Sequence, residues 1–428
     1  MRFAVPPPVL LALERLALRG YEAYLVGGCV RDDLLGIPPK DYDIATSATP
    51  EDIIECFAGE HLLLHGIKHG TVTPVLSGVP VEITTFRRDG AYTDGRHPDQ
   101  VVFTTSLQED LARRDFTVNA LARSPTTGLV DLVGGVNDLH ARLIRAVGDP
   151  ERRVAEDALR ILRAVRFAAA LGFSVEKNTA QAMERLAPTL DRISAERIAA
   201  EWTGALLGRH VSRIADYPAV VDAAVPEIAT AYGDTSASAL ADAARMAEAL
   251  PPDLPMRWVA LFAYGGSAAA QAANAAAARL RRSNALRGEI AVLAQHMHTP
   301  MLPDDARLWV SRLGLPMLLR VTTLQKAMAA RDARQQESLA VLEQSARDIV
   351  ASGACLSLRD LAVNGNDLMQ MGIPKGPEVG EALGHLMHQV VINQLPNTRE
   401  ALLDAALTLR AGQKEQQKNQ PGQGRVEA

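Results

Sequence analysis

Aromatic residues are scarce in this chain, at 4% of 428 residues, and cysteines number only three. Cys29, Cys56 and Cys355 are too few for a disulfide framework or a cysteine-rich zinc site, so a reducing cytosol is the expected setting. No stretch of eighteen apolar residues occurs, which argues against a membrane-spanning helix. The apolar run near the N-terminus is interrupted by Glu14, Arg15 and Arg19, and no small-residue cleavage site follows. It predicts an amphipathic helix rather than a signal peptide. No fixed-period repeat is visible, so a solenoid is not supported. The net charge of −5 argues against gripping nucleic acid by bulk charge, yet it permits a local basic groove. What remains is 47% hydrophobic and 22% charged, enough for buried cores in two to four domains.

The first 148 residues alternate in character. YLVGG reads as a short strand, VRDDLLG as the helix after it, and DYDIAT as a second strand. Thr49, Pro50 and Glu51 suit a helix start. TVTPVLSG and VPVEITTFR, divided at Ser77-Gly78, read as a hairpin. A mixed α/β domain is therefore expected there. After Asp149-Pro150 the composition turns helical. A long helical pattern runs from Glu151 to Gly172, and helices punctuated by prolines continue to about residue 410. The Gln- and Gly-rich segment 411–428 reads as a disordered tail.

Four short segments carry chemistry. In LVGGCVRD, Gly27 and Gly28 between a strand and a helix would let backbone N–H groups approach a phosphate, and Arg31 could add a charge-assisted bond. A Gly-Gly pair is also an ordinary tight turn. In DYD, Asp41 and Asp43 at i, i+2 of a strand face the same way and could meet one hard cation. Ten residues separate Arg31 from Asp41, which places a triphosphate and Mg²⁺ as neighbours in a strand–helix–strand unit, as two-metal phosphoryl transfer requires. In RRDFTVNA, Arg114 is a candidate for phosphate and Asp115 or Asn119 for a ribose; the alternative is a capped amphipathic helix. In EDALRILRAVR, Asp157 and Arg160 are spaced i, i+3, with Arg163 and Arg166 following. That spacing also describes a surface ion pair.

These segments, in this order and spacing, resemble the class II tRNA nucleotidyltransferases, the CCA-adding enzymes, which share a family with bacterial poly(A) polymerase. The resemblance is dense over the first 200 residues. It resumes at RLRRSNALRGEI and at the segment from Leu361 to Leu403, which resembles the tail of the Bacillus-type enzymes. It implies an α+β fold: a polymerase-β-like nucleotidyltransferase head with a mixed sheet (1–148), then an all-α neck for base recognition (149–206), and a helical body (207–345) and tail (346–410) for tRNA. It implies CTP, ATP and tRNA as substrates and Mg²⁺ as cofactor. Gly28 and Arg31 match positions that hold the incoming nucleotide, Asp41 and Asp43 the metal ligands, and Arg114 a nucleotide contact. Asp157 and Arg160 match the pair that reads the base, and Arg163 and Arg166 match further nucleotide contacts. Glu82 is a candidate third carboxylate. The segment Arg88 to Pro98 sits where the family has a flexible loop that helps the switch from C to A addition.

Two features depart from some relatives. Where others carry a histidine–aspartate metal pair after the neck, this chain has Ala263-Tyr264, so no second metal site is expected. His61, His65 and His69 are spaced by four in a strand-leaning region, and His385 and His388 read as surface residues. The acidic net charge puts the expected tRNA grip on Arg279, Arg281, Arg282 and Arg287. No membrane and no protein partner is expected. The expected activity is template-independent CCA addition. A poly(A) polymerase, a CC-adding or A-adding enzyme, and an inactive RNA-binding protein are the alternatives.

Overall fold

The computed structural model describes residues 4–89, 101–233 and 236–418. The chain forms two compact units, Met1–Ala294 and Gln295–Ala428. The border falls within the helix Asn284–His296, so the body expected over 207–345 is divided between the two units.

The first unit opens with helix α1 (Pro7–Leu18), then β1 (Ala23–Val26), α2 (Gly28–Leu35) and β2 (Asp43–Thr46). Helix α3 (Pro50–Cys56) starts where expected. The Thr49 hydroxyl accepts from the Asp52 N–H, and the Asp52 carboxylate accepts from the Thr49 N–H. Strands β3 (His61–Leu63), β4 (Thr71–Leu76), β5 (Val79–Pro80) and β6 (Ile83–Thr85) follow. Ser77 and Gly78 join β4 to β5 with both φ values positive, 50° and 81°, as a tight hairpin turn requires. A separate ribbon pairs β7 (Arg87–Asp89) with β8 (Val101–Phe103). Of the candidate loop from Arg88 to Pro98, residues 90–98 lie outside the described residues.

After β8 come α4 (Leu107–Ala112), a 3₁₀ turn (Thr117–Asn119), β9 (Leu121–Ser124), β10 (Gly128–Asp131) and α5 (Gly135–Ala141). RRDFTVNA is thus a turn between a helix and a strand rather than a helix. The sheet runs β10-β9-β1-β2-β6-β4-β3, with β5 on β4. All its pairs are antiparallel except β2 with β6. In the register Val26 faces Asp43 across the first pair and Ala122 across the second. One face rests on a core that includes Tyr24, Val26, Phe86, Leu111, Ala122 and Val147.

The expected helix from Glu151 to Gly172 is broken in two, α6 (Pro150–Glu156) and α7 (Leu159–Leu171). The cause is Asp157. Its backbone is extended, with φ −149° and ψ 105°, and its Oδ1 accepts the Leu159 N–H at 3.0 Å. A short acidic side chain competes with the helix ladder in this way. Helix α7 stops at Gly172 in a left-handed conformation. Two short parallel strands, β11 (Leu143–Ile144) and β12 (Ser174–Val175), tie the head to the segment after α7. Helices α8 (Lys177–Leu186) and α9 (Ala195–Leu206) follow, and further helices carry the chain to His296. Gly208 lets the chain after α9 come close to α7, because a Cβ there would stand 2.5 Å from the Ala169 carbonyl oxygen.

Where relatives could carry a histidine–aspartate pair, a buried guanidinium instead ties helix ends together. Arg257 is 5% exposed. It donates to the carbonyls of Leu206, Gly208 and Leu250 at 2.7–3.2 Å. Burial without an adjacent paired carboxylate pushes its basicity down, with Glu248 opposing. Among the described residues of the second unit the regular elements are all helices, and Leu368, Leu386, Val390 and Leu402 centre its C-terminal core. Its last helix, Arg399–Lys418, runs eight residues into the segment expected to be disordered. Gln, Lys and Glu there are good helix formers.

Arg257→Met should lower the unfolding free energy by roughly 3 kcal/mol or more, since three carbonyls would each lose a donor at about 1–3 kcal/mol. Urea unfolding of the variant measures this. A loss below about 1 kcal/mol would mean that the guanidinium is not a structural tie.

Candidate active site

Eight of the nine residues singled out from the sequence line one cleft of about 500 Å³. They are Gly28, Arg31, Asp43, Arg114, Asp157, Arg160, Arg163 and Arg166; Asp41 lies outside it. The head supplies its residues from one end of three inner strands of the sheet, β9, β1 and β2. β1 ends at Val26, and its register brings the start of β2 and the turn before β9 alongside. Gly27 has φ 73°, and a Cβ there would stand 3.0 Å from an Arg114 guanidinium nitrogen. The glycine therefore serves both the turn and the close approach of Arg114.

Seven arginines and three aspartates line the cleft, and most of the guanidiniums are held by carboxylates. Arg31 pairs with Asp32 at 2.7 Å and donates to Asn119 Oδ1 at 2.6 Å. Buried Asp110 accepts from Arg113 at 2.8 Å and Arg114 at 3.2 Å. Asp115 accepts from Arg163 at 2.6 and 2.8 Å, from the Phe116 N–H and from Asn119 Nδ2. Both of its oxygens are engaged, and Asp115 holds Arg163 in the cleft. Arg166 pairs with Glu201 on α9. One ring lies under three of these cations: Phe167 is 4.2 Å from Arg166, 5.2 Å from Arg31 and 5.6 Å from Arg163.

Asp157 and Arg160 do not form the surface pair that their spacing also allowed. Asp157 Oδ2 accepts from Arg197 of α9 at 2.8 Å. Arg160 donates to Glu156 at 2.6 Å and to the Arg153 carbonyl at 2.7 Å. The two face one cleft with separate supports, because the break at Asp157 removes them from a common helix face. Sequence reading did not single out Arg197, Phe167 or Asp110. Phe167 lies one residue past the segment that carries Arg163 and Arg166, and no motif marks the other two.

Asp43 also borders a second cleft, of about 680 Å³, together with Asp41 and Glu82. Although Asp43 keeps an exposed side, desolvation of its carboxyl raises its pKa. Glu82 and Asp41 push it the same way, and Arg114 opposes them. Oxygen donors that repel one another at one place suit a hard divalent cation. Among the described residues no three His, Cys, Asp or Glu side chains are placed to hold a metal by themselves. A cation at Asp41 and Asp43 would therefore draw further oxygens from its substrate.

The arginines expected to grip tRNA are partly occupied. Arg279 is bound to Glu227 and the Ala224 carbonyl, and Arg281 to Glu196.

The Arg163 guanidinium offsets the desolvation of Asp115 and holds its carboxyl below the usual range. A depressed pKa contributes stability above the unfolded value, near 3.9, and loses it as pH falls through the folded value. The stability difference between wild type and Asp115→Asn should be constant from about pH 7 to 5 and shrink below about pH 4. Denaturant unfolding across that range measures it, and a gap that widened on acidification would reverse the sign assigned here.

The chain matches three family models: a poly A polymerase head domain over residues 23–145, a probable RNA and SrmB-binding site of polymerase A over 172–216, and a putative tRNA nucleotidyltransferase domain 2 over 257–406. It is 36% identical to the CCA-adding enzyme of Lactiplantibacillus plantarum over 411 residues, covering 92% of this chain and 94% of that protein. It is 39% identical to the CCA-adding enzyme of Latilactobacillus sakei over 407 residues, covering 94% and 98%. The crystal structure of the Bacillus stearothermophilus CCA-adding enzyme in complex with CTP superposes with a TM-score of 0.79 at 32% identity, covering 96% of this chain and 100% of that one. With a polymerase-β-like head, a helical remainder and relatives matched along nearly their whole length, the chain belongs to the family of CCA-adding enzymes.

Proposed function

We propose that this chain adds CCA to the 3′ end of tRNA, without a nucleic-acid template, using CTP and ATP. The observation that carries this reading is the convergence of eight sequence-marked residues on one cleft with a carboxylate at its edge. The 3′-hydroxyl oxygen of tRNA attacks the α-phosphorus, a P–O bond forms, and the bond to the β-phosphate oxygen breaks to release pyrophosphate. No side-chain nucleophile is needed. Asp41 and Asp43 would hold Mg²⁺, and a bound cation there would supply Lewis acidity for the attacking hydroxyl and the leaving pyrophosphate. Glu82 borders the cleft that Asp41 and Asp43 share and is the candidate for a third carboxylate there.

The chain's own residues bind and orient the nucleotide. The backbone at Gly27-Gly28, with Arg31 and Arg114, receives the triphosphate. Arg163 and Arg166, backed by Phe167, make further contacts with the nucleotide. Asp157 accepts and Arg160 donates, which fits the amino group and adjacent ring nitrogen of cytosine and adenine. Uracil and guanine present the reverse pattern. The helices after residue 207 hold tRNA by shape and phosphate contacts, since the A-form major groove is closed to side chains. All three cysteines are free, which fits a reaction carried out in the reducing cytosol.

Purified protein with tRNA lacking its 3′ end, Mg²⁺ and labelled CTP and ATP should extend the RNA by three nucleotides on a sizing gel. Extension by two, by one, or by a long tail would name a CC-adding, A-adding or poly(A) activity instead, and no extension would leave an RNA-binding protein. Asp43→Ala should lose more than tenfold in turnover, a barrier change above about 1.4 kcal/mol, while retaining tRNA binding. Asp157→Ala should reduce the CTP over UTP preference at least about tenfold, in line with the roughly 1–3 kcal/mol of a bidentate base contact. Steady-state kcat/KM for both nucleotides decides this.

A further inference from the structure

Helix α9 lies against α7 and turns one stripe toward it: Arg197, Glu201 and Gly204, spaced i, i+4, i+7. Each member meets a cleft residue. Arg197 donates to Asp157 Oδ2, Glu201 accepts from Arg166, and Gly204 leaves room for the Arg166 stem, since a Cβ there would stand 2.4 Å from its Cδ. α9 is therefore a second support for the side chains that face the nucleotide, although no sequence motif marks it.

Arg197 is the member tied to base choice. Asp157 sits in the extended break between α6 and α7, so no helix fixes its side chain. Two bonds do so: the Leu159 N–H to Oδ1 and the Arg197 guanidinium to Oδ2. The first is local and turns with the backbone. The second comes from another helix and sets the direction of the carboxylate. Arg197 also lines the cleft. Its other terminal nitrogen, Nη1, is buried without an acceptor among the described residues, so Asp157 is the polar anchor of the guanidinium.

We infer that Arg197 is a specificity-determining positioning residue, which holds Asp157 so that its remaining lone pairs accept the amino group of cytosine or adenine. This rests on the proposed base-reading role of Asp157. Without Arg197 the carboxylate can rotate away. The site then loses the acceptor that favours an amino group and the negative charge that repels the carbonyl of uracil and guanine. The loss should fall on discrimination more than on rate.

The test uses the full chain, tRNA lacking CCA, and kcat/KM for CTP and UTP. Arg197→Met keeps the packing of the stem and removes its donors. It should lower the CTP/UTP ratio at least about fivefold, with a circular-dichroism melt showing the fold retained. Arg197→Lys, which keeps the charge and one donor, should recover part of that ratio. Adding Arg197→Met to Asp157→Ala should change the ratio no further, as expected of residues acting through one another. A folded Arg197→Met that slows both nucleotides equally would overturn the inference and make Arg197 a plain support. If that variant does not fold, an unaltered ratio in Arg197→Lys and Arg197→Gln would overturn it instead. Failure of the underlying reading looks different: there, Asp157→Ala itself leaves the ratio unchanged.

Discussion

The site depends on one strand register. Val26 faces Asp43 in the β1–β2 pair and Ala122 in the β1–β9 pair. Because strand pairing is discrete, this fixes three loops at one end of the sheet: the glycine turn, the start of DYD, and the turn holding Arg114 and Asn119. A slip by one residue would turn Asp43 to the opposite face of the sheet, away from Arg114 and the glycine turn. Buried side chains on both faces, Tyr24, Val26 and Ala45 on one and Leu25 and Ile44 on the other, hold the strands in place. The chemistry at the cleft is thus secured by apolar side chains that never touch it.

The neck is organised by a different rule. Its working residues are polar, and helix packing alone would leave them mobile. Each long guanidinium is instead clamped by a carboxylate, brought from a distant segment in Asp115 for Arg163 and Glu201 for Arg166 and from the preceding turn in Glu156 for Arg160; Asp110 does the same for Arg113 and Arg114 of the head. Side-chain entropy is then lost on folding rather than on binding, which is what preorganisation of a site requires.

Much of this was legible in the sequence, for identifiable reasons. The head strands and the α2 and α3 starts followed from local signals, namely the glycine turn, the Thr49 cap and the Ser77-Gly78 hairpin. The cleft residues followed from four short segments whose spacing is hard to meet by accident. What escaped was of two kinds. The break at Asp157 cannot be seen in a pattern whose apolar period runs on through it, and Asp110, three and four residues from Arg113 and Arg114, reads as an ordinary local ion pair. Arg197 is an ordinary charge until the fold brings it to Asp157, 40 residues away. Nor does the sequence show that Glu227 and Glu196, far away along the chain, pair with Arg279 and Arg281 of the expected basic patch.

Phe167 carries a consequence of its own. An aromatic face attracts cations but offers them no counter-charge and no fixed direction. The three guanidiniums gathered around it take their direction from carboxylates instead, Asp32 for Arg31, Asp115 for Arg163 and Glu201 for Arg166. The ring therefore acts as a common floor: it sets how deep the cations sit, while the carboxylates set where they point. An enzyme that must accept a pyrimidine and then a purine in one cleft has use for such a floor, because the two bases set their phosphates at the same distance from the sugar but fill the space beyond it differently.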